Sequence, residues 1–186
     1  MKDLAYKSRF LFVALAVVVL DQWTKWLVEI HLPVHSAHPV LPGWFNLVHV
    51  RNTGVAFGLF ASDTGAATGV LTLLALVALA AVVFYFWVTP ARDRLLLSAL
   101  SLVAGGAVGN LIDRVASGAV TDFLDVYYGT WHWPAFNVAD SAISVGITLM
   151  VVETLLPGRL RHRPETDADA RADAADKAAK PVSEAS

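Results

Sequence analysis

The sequence predicts an all-α membrane protein, with four transmembrane helices and a small extracytoplasmic β-like cap. Three observations carry that prediction. Hydrophobic residues make up 56% of the 186, and charged residues only 16%, against about 25% in an ordinary soluble domain; mean hydropathy is +0.55. Four apolar runs are each long enough to cross about 30 Å of hydrocarbon. Between the first and second runs lies a Pro- and Gly-punctuated stretch of strand-like composition. Net charge is −2 and there is no cysteine. The charge argues against a nucleic-acid partner, and the missing thiols exclude disulfides, a Cys nucleophile and thiolate metal sites.

The first span is expected at about 9–29. Lys2, Lys7 and Arg9 lead into an unbroken apolar run, Phe10 to Leu20, and Asp21 to Val28 continue it as an amphiphilic helix. A cleaved signal peptide is the competing reading of this basic-then-apolar start, but the small residues Ala14 and Ala16 sit inside the run rather than after it. Asp21 and Lys25, four apart, share a helical face with the carboxylate on the N-terminal side, so they are expected to pair.

The cap is expected at about 30–66. Pro33, Pro39, Pro42 and Gly43 interrupt it. Trp44 to Asn52 has the β-branched and aromatic content of a strand, and Asn52-Thr53-Gly54 is a turn signal. Val55 to Phe60 is a second piece of strand length. Thr68 to Val88 is a plain span closed by the interfacial aromatics Tyr85, Phe86 and Trp87. After the tight loop 89–94 comes a third span, about 95–115, whose Gly105, Gly106 and Gly109 make a thin face for close helix approach. The stretch 116–135, with Tyr127, Tyr128, Trp131 and Trp133, reads as a re-entrant passage with belt residues. The fourth span is expected at about 136–156. The four-helix unit is thus 1–158; residues 159–186 lack apolar periodicity and are expected to form a disordered cytoplasmic tail.

Lys and Arg in the short loops set the orientation. The N-terminus, the 89–94 loop and the start of the tail are basic, whereas the other two loops hold only Arg51 between them. Both termini are therefore expected in the cytoplasm. Helices one and three then run outward and helix four inward. That puts Asp21 with Lys25, then Asn110, Asp113 and Arg114, then Asn137 and Asp140 in the outer leaflet, and Asp122 on the connecting segment can reach them. Charges there cost roughly 2.5–3.5 kcal/mol each at a helix centre, so the four charges and two amides that the stretch from Gly105 to Ser141 alone puts at one membrane face mark a site.

Each group also has a plain structural reading. Asp21 with Lys25 is more simply an ion pair, and Asp113 beside Arg114 a neutral pair, although Arg114 could equally present a fixed cation to substrate carbonyls. Asn52 and Gly54 alone would be a turn. Asp122 and Asp140 differ, because neither has a cation at helical spacing. Two such carboxyls close together share a proton, the condition for an aspartyl dyad. Asp125 is the rival for the second acid if that stretch is helical. Other chemistry is absent from the sequence: no HExxH for zinc, no GxSxG, no lysine a turn from Ser141 or Ser144. Pro33 breaks the helix that His31, His35 and His38 would need to hold a metal. No metal or cofactor is expected, since an Asp pair needs neither to hydrolyse a peptide bond.

These stretches together resemble the signal peptidase II (lipoprotein signal peptidase) family of bacterial membrane aspartyl proteases. The matching segments are Asp21-Gln22-Trp23-Thr24-Lys25, Arg51 to Gly58, Gly105 to Arg114, Val120-Thr121-Asp122-Phe123 and Phe136 to Ser141. Thr121 and Val55 stand where the family more often has Val and Ala. The resemblance implies a catalytic pair Asp122 and Asp140. It also implies a substrate site lined or ordered by Asn52, Gly54, Asn110, Arg114 and Asn137, with Asp21, Lys25 and Asp113 in support. It further implies a diacylglyceryl-modified prolipoprotein substrate cleaved before its lipidated Cys, and a multi-pass protein of the bacterial inner membrane. Membrane lipids are expected partners, globomycin an expected inhibitor, and a monomer the expected state. Two rivals from other classes remain at this stage. A small transporter would spread its charges over the whole membrane depth. A non-enzymatic assembly factor would not depend on Asp122 being a carboxylate.

Overall fold

The computed structural model describes residues 2–54 and 64–155. The elements in chain order are α1 (Lys2–His31), β1 (Ala37–Leu41), β2 (Phe45–Asn52), α2 (Thr64–Val88), α3 (Arg94–Ser117), β3 (Val120–Tyr128), β4 (Trp131–His132) and α4 (Val138–Leu155). Among the described residues, four helices are long and apolar enough to span a membrane, one in each of α1, α2, α3 and α4. Leu11, Phe12, Leu73, Val77, Phe84, Val145 and Val151 are exposed on them, as lipid-facing residues must be, since hydrocarbon outside the bundle is as apolar as Leu.

α3 is the central helix, and its glycines let its neighbours in. A Cβ on Gly105 would lie 2.7 Å from the Ala14 carbonyl oxygen of α1, one on Gly106 would strike the Ala139 carbonyl of α4, and one on Gly109 would come within 2.6 Å of Asp21 Oδ2. Lower down, Gly146 of α4 faces the Ala99 carbonyl in the same way. The thin face read from the sequence is therefore a three-helix contact. At the end of the bundle nearest the N-terminus, Leu96, Leu97 and Leu100 pack with Phe86. Buried Lys7 donates to the Trp87 carbonyl at 2.7 Å, supplying a cation and donor at the C-terminus of α2.

The 116–135 segment is not a re-entrant passage. It supplies β3 and β4 to a four-stranded antiparallel sheet of order β1-β2-β3-β4. β3 is buried along most of its length, so it lacks the alternation that would mark a half-exposed strand. β2 pairs with it from Phe45↔Val126 to Asn52↔Val120, with a shift in register between Leu47 and Val50. The expected strand from Trp44 to Asn52 is β2. The second expected piece, Val55 to Phe60, and the 159–186 tail lie outside the described residues. α4 begins at Val138, because Phe136 instead bridges to Leu124 of the sheet and Asn137 caps the helix.

Candidate active site

The polar residues of the three helices converge where the C-terminal ends of α1 and α3 and the N-terminal end of α4 meet β3. Asn137 forms a reciprocal cap with Asp140: the Asp140 N–H donates to Asn137 Oδ1 at 2.9 Å, and the Asn137 N–H donates to Asp140 Oδ2 at 3.2 Å. This is a capping box with an acid in the third helical position. The Asn137 amide then reaches sideways, and its Nδ2 donates to Asp122 Oδ1 at 2.8 Å. One fully buried asparagine thus touches both carboxylates. Asn52 Nδ2 donates to the other Asp122 oxygen at 2.9 Å, while its own Oδ1 accepts the Gly54 N–H at 2.8 Å. Gly54 holds φ +79, a left-handed turn conformation that favours glycine.

Asp122 lies on β3, outside the spanning helices, and is 2% exposed. Burial pushes its carboxyl up to about 6; the hydrogen bonds from Asn52 and Asn137 and the Lys25 cation pull against this, while the neighbouring Asp140 charge adds to the rise. Neither Asp122 nor Asp140 has an ion pair among the described residues.

Behind the two carboxylates sits Lys25. Its Nζ lies 2.7 Å from Asp21 Oδ2, 2.8 Å from Asp113 Oδ2 and 3.0 Å from Asn110 Oδ1, which uses all three ammonium protons. The two carboxylate partners each hold backbone beside an acid. Asp21 Oδ1 accepts the Ala139 N–H at 2.9 Å, one residue before Asp140. Asp113 Oδ2 accepts the Thr121 N–H at 3.1 Å, one residue before Asp122. Asn110, with its oxygen occupied by Lys25 and Asn137, turns its Nδ2 to Asp140 Oδ1 at 2.7 Å.

Two expectations need correcting. Asp113 pairs with Lys25 and not with its neighbour Arg114, because successive residues on a helix point about 100° apart. Arg114 is half-buried and its Nη1 reaches the Asn110 carbonyl at 3.4 Å. Asp125 is on a strand rather than a helix, and it accepts hydrogen bonds from Asn46 and His132 instead of joining the other acids. Two contributors were missed. Gln22 donates to Asp113 Oδ1 at 2.8 Å and to the Gly109 carbonyl at 3.2 Å; a second polar residue beside Asp21 in a spanning helix was the available signal. Thr121 donates to Glu29 of α1 at 2.8 Å, a contact without any short-range signature.

The model of the signal peptidase (SPase) II family matches residues 13–156. The chain belongs to that family. The lipoprotein signal peptidase of Syntrophus aciditrophicus is 44% identical over 147 residues, covering 78% of this chain and 91% of the relative. That of Geobacter metallireducens is 46% identical over 154 residues, 83% of this chain and 94% of the relative. A bacterial membrane enzyme solved by the in meso method superposes with a TM-score of 0.72 at 28% identity, over 86% of this chain and 94% of that one. A second such structure gives 0.69 at 31% identity, over 81% and 94%. As a signal peptidase II the protein is a membrane protease that cleaves signal peptides from prolipoproteins.

Proposed function

We propose that Asp122 and Asp140 are the catalytic pair of this peptidase, and that it cuts diacylglyceryl-modified prolipoproteins before the lipidated Cys. The observation that carries the reading is the Asn137 clasp, which joins a strand acid and a helix acid through one residue, its side-chain amide on Asp122 and its backbone N–H on Asp140. Two carboxyls so linked, one of them buried and pushed up to about 6, favour a single shared proton on the acid side of neutral. That is the state an aspartyl peptidase needs, with one group to take a proton from water and one to give a proton to the scissile amide. Asn52, Gly54, Asn110, Arg114 and Asn137 order the substrate site, and Asp21, Lys25 and Asp113 support it. All of them come from one chain, in keeping with an active monomer. Residues 1–158 form the peptidase unit.

The basic segments at 2–9, 89–94 and 159–163 favour cytoplasmic termini in a bacterial inner membrane, which puts the acids near the outer face. The cap supports the same orientation. Trp44, Tyr128, Trp131 and Trp133 are exposed on the sheet and its flanking turns, and such amphipathic rings prefer the headgroup layer. They seat the cap on membrane lipid. Trp131→Ala with Trp133→Ala is expected to weaken both vesicle seating and turnover; unchanged values for both would remove that role.

The substrate assignment is tested with the purified protein in lipid vesicles. Two precursors are compared, one carrying diacylglyceryl-Cys and one with the same Cys unmodified. Cleavage of the lipidated precursor alone, with Cys as the new N-terminus and inhibition by globomycin, is expected. Equal cleavage of the unmodified precursor, or a different cut, would overturn it.

A further inference from the structure

The two carboxyls are held by equal numbers of N–H donors but in unequal surroundings, and the difference assigns their roles. Each accepts two: Asp122 from Asn52 and Asn137, Asp140 from Asn110 and Asn137. Those to Asp122 are both side-chain amides, on a strand acid that is 2% exposed. Asp140 is more open to water, takes a backbone N–H, and sits in the first turn of α4. There the first-turn amides, which find side-chain partners in Asp21 and Asn137 in place of helix carbonyls, form the positive end of the helix dipole. We infer that Asp140 is the resting carboxylate and the general base, and that Asp122 holds the proton and is the general acid. The upward push on Asp122 from burial agrees.

The surrounding charges do not reverse this assignment. Lys25 of α1 is the cation whose charge acts on Asp122, yet it is saturated by Asp21, Asp113 and Asn110. Lys25 with its two carboxylates carries a net charge of −1, so it does not help a second negative charge to form on the pair. On α3, Arg114 donates to a backbone carbonyl. From β2 and the α4 cap, Asp122 is faced by the neutral amides Asn52 and Asn137.

The proton then follows a closed path. Asp140 takes a proton from water as the water oxygen attacks the scissile carbonyl carbon, and Asp122 gives its proton to the carbonyl oxygen, leaving a neutral gem-diol. Asp140 returns its proton to the amide nitrogen as the C–N bond breaks. Asp122 takes a hydroxyl proton from the new carboxyl group and the starting state is restored.

This assignment rests on the proposed dyad, but protonation can be read without turnover. Infrared spectra of the protein in micelles, between pH 4 and 8, resolve the C=O stretch of a protonated carboxylic acid from carboxylate bands. The double variant Asp122→Asn/Asp140→Asn serves as the blank. At pH 5 the wild type is expected to show a protonated-acid band that disappears in Asp122→Asn and persists in Asp140→Asn. Asp140→Ser replaces Asp140→Asn should the latter not fold. Loss of the band in Asp140→Asn with retention in Asp122→Asn, loss in both, or no band in the wild type would each overturn the assignment. None of these outcomes bears on whether the pair is catalytic, which turnover measures separately.

Discussion

Replacing Lys25 with methionine removes three N–H donors from the centre of the site at once. The side chains of Lys25 and Asp21 are 3% and 0% exposed, and that of Asp113 10%. An exposed ion pair is worth about 0–1 kcal/mol, whereas removing one partner of a buried pair costs about 3–5 kcal/mol because the other charge stays behind. Burial puts Lys25 in the second class, and two stranded carboxylates put it at the upper end. Lys25→Met is therefore expected to destabilise the protein by about 4–5 kcal/mol. Turnover falls too, since Asp21 and Asp113 hold the backbone N–H groups next to Asp140 and Asp122, and a shift of about 1 Å in a reacting group can cost about 100-fold. Thermal unfolding in detergent and kcat on a lipidated precursor measure the two effects. Adding Asp21→Asn and Asp113→Asn to Lys25→Met is expected to restore much of the stability, because no unpaired charge remains, but not the rate. A loss below about 1 kcal/mol with wild-type kcat would place Lys25 among ordinary surface pairs and sink this reading.

Three other outcomes follow from the same geometry. Because burial raises the Asp122 carboxyl from 3.8 to about 6, the folded state binds more protons across that window, and stability falls as pH rises through it and levels off above. Asp122→Asn removes about 3 kcal/mol of that cost at neutral pH and adds about 1 kcal/mol for an amide N–H set against a donor. The inactive variant should thus unfold later than wild type at pH 7.5, with the advantage gone near pH 4; earlier unfolding at both would contradict it. In activity, protonated Asp122 is the working form, so kcat/KM should decline tenfold per unit once pH passes about 6, and the limb in kcat should lie higher because bound substrate excludes water. A flat profile from pH 5 to 8 would count against it. Gly106→Ala drives a methyl into the Ala139 carbonyl; an overpacking loss of about 1–3 kcal/mol should appear in the melting curve, and a neutral result would mean that α4 slides freely.

Much of this was legible in the sequence because hydrocarbon punishes exceptions. An apolar run that tolerates Asp21, Lys25, Asn110 and Asp140 must gather them, and helical spacing says which share a face. The four spans and the i, i+4 pair of Asp21 with Lys25 were readable on those grounds. What escaped was non-local. β2 pairs with β3 some seventy residues away, and β3 is buried along most of its length, so neither partner nor alternation advertised a sheet at 120–132. Asp113 stood beside Arg114 in sequence, yet its partner came from another helix. Which aspartate holds the proton depends on burial and on a helix N-terminus, and neither is visible before the chain is folded.

The most direct measurement is turnover of Asp122→Asn and Asp140→Asn, each reconstituted in lipid vesicles with a diacylglyceryl-modified precursor. Both variants keep shape and remove one carboxyl, and each is expected to lose about a thousandfold in kcat or more. Wild-type turnover by either one would mean that the two acids are not a catalytic pair.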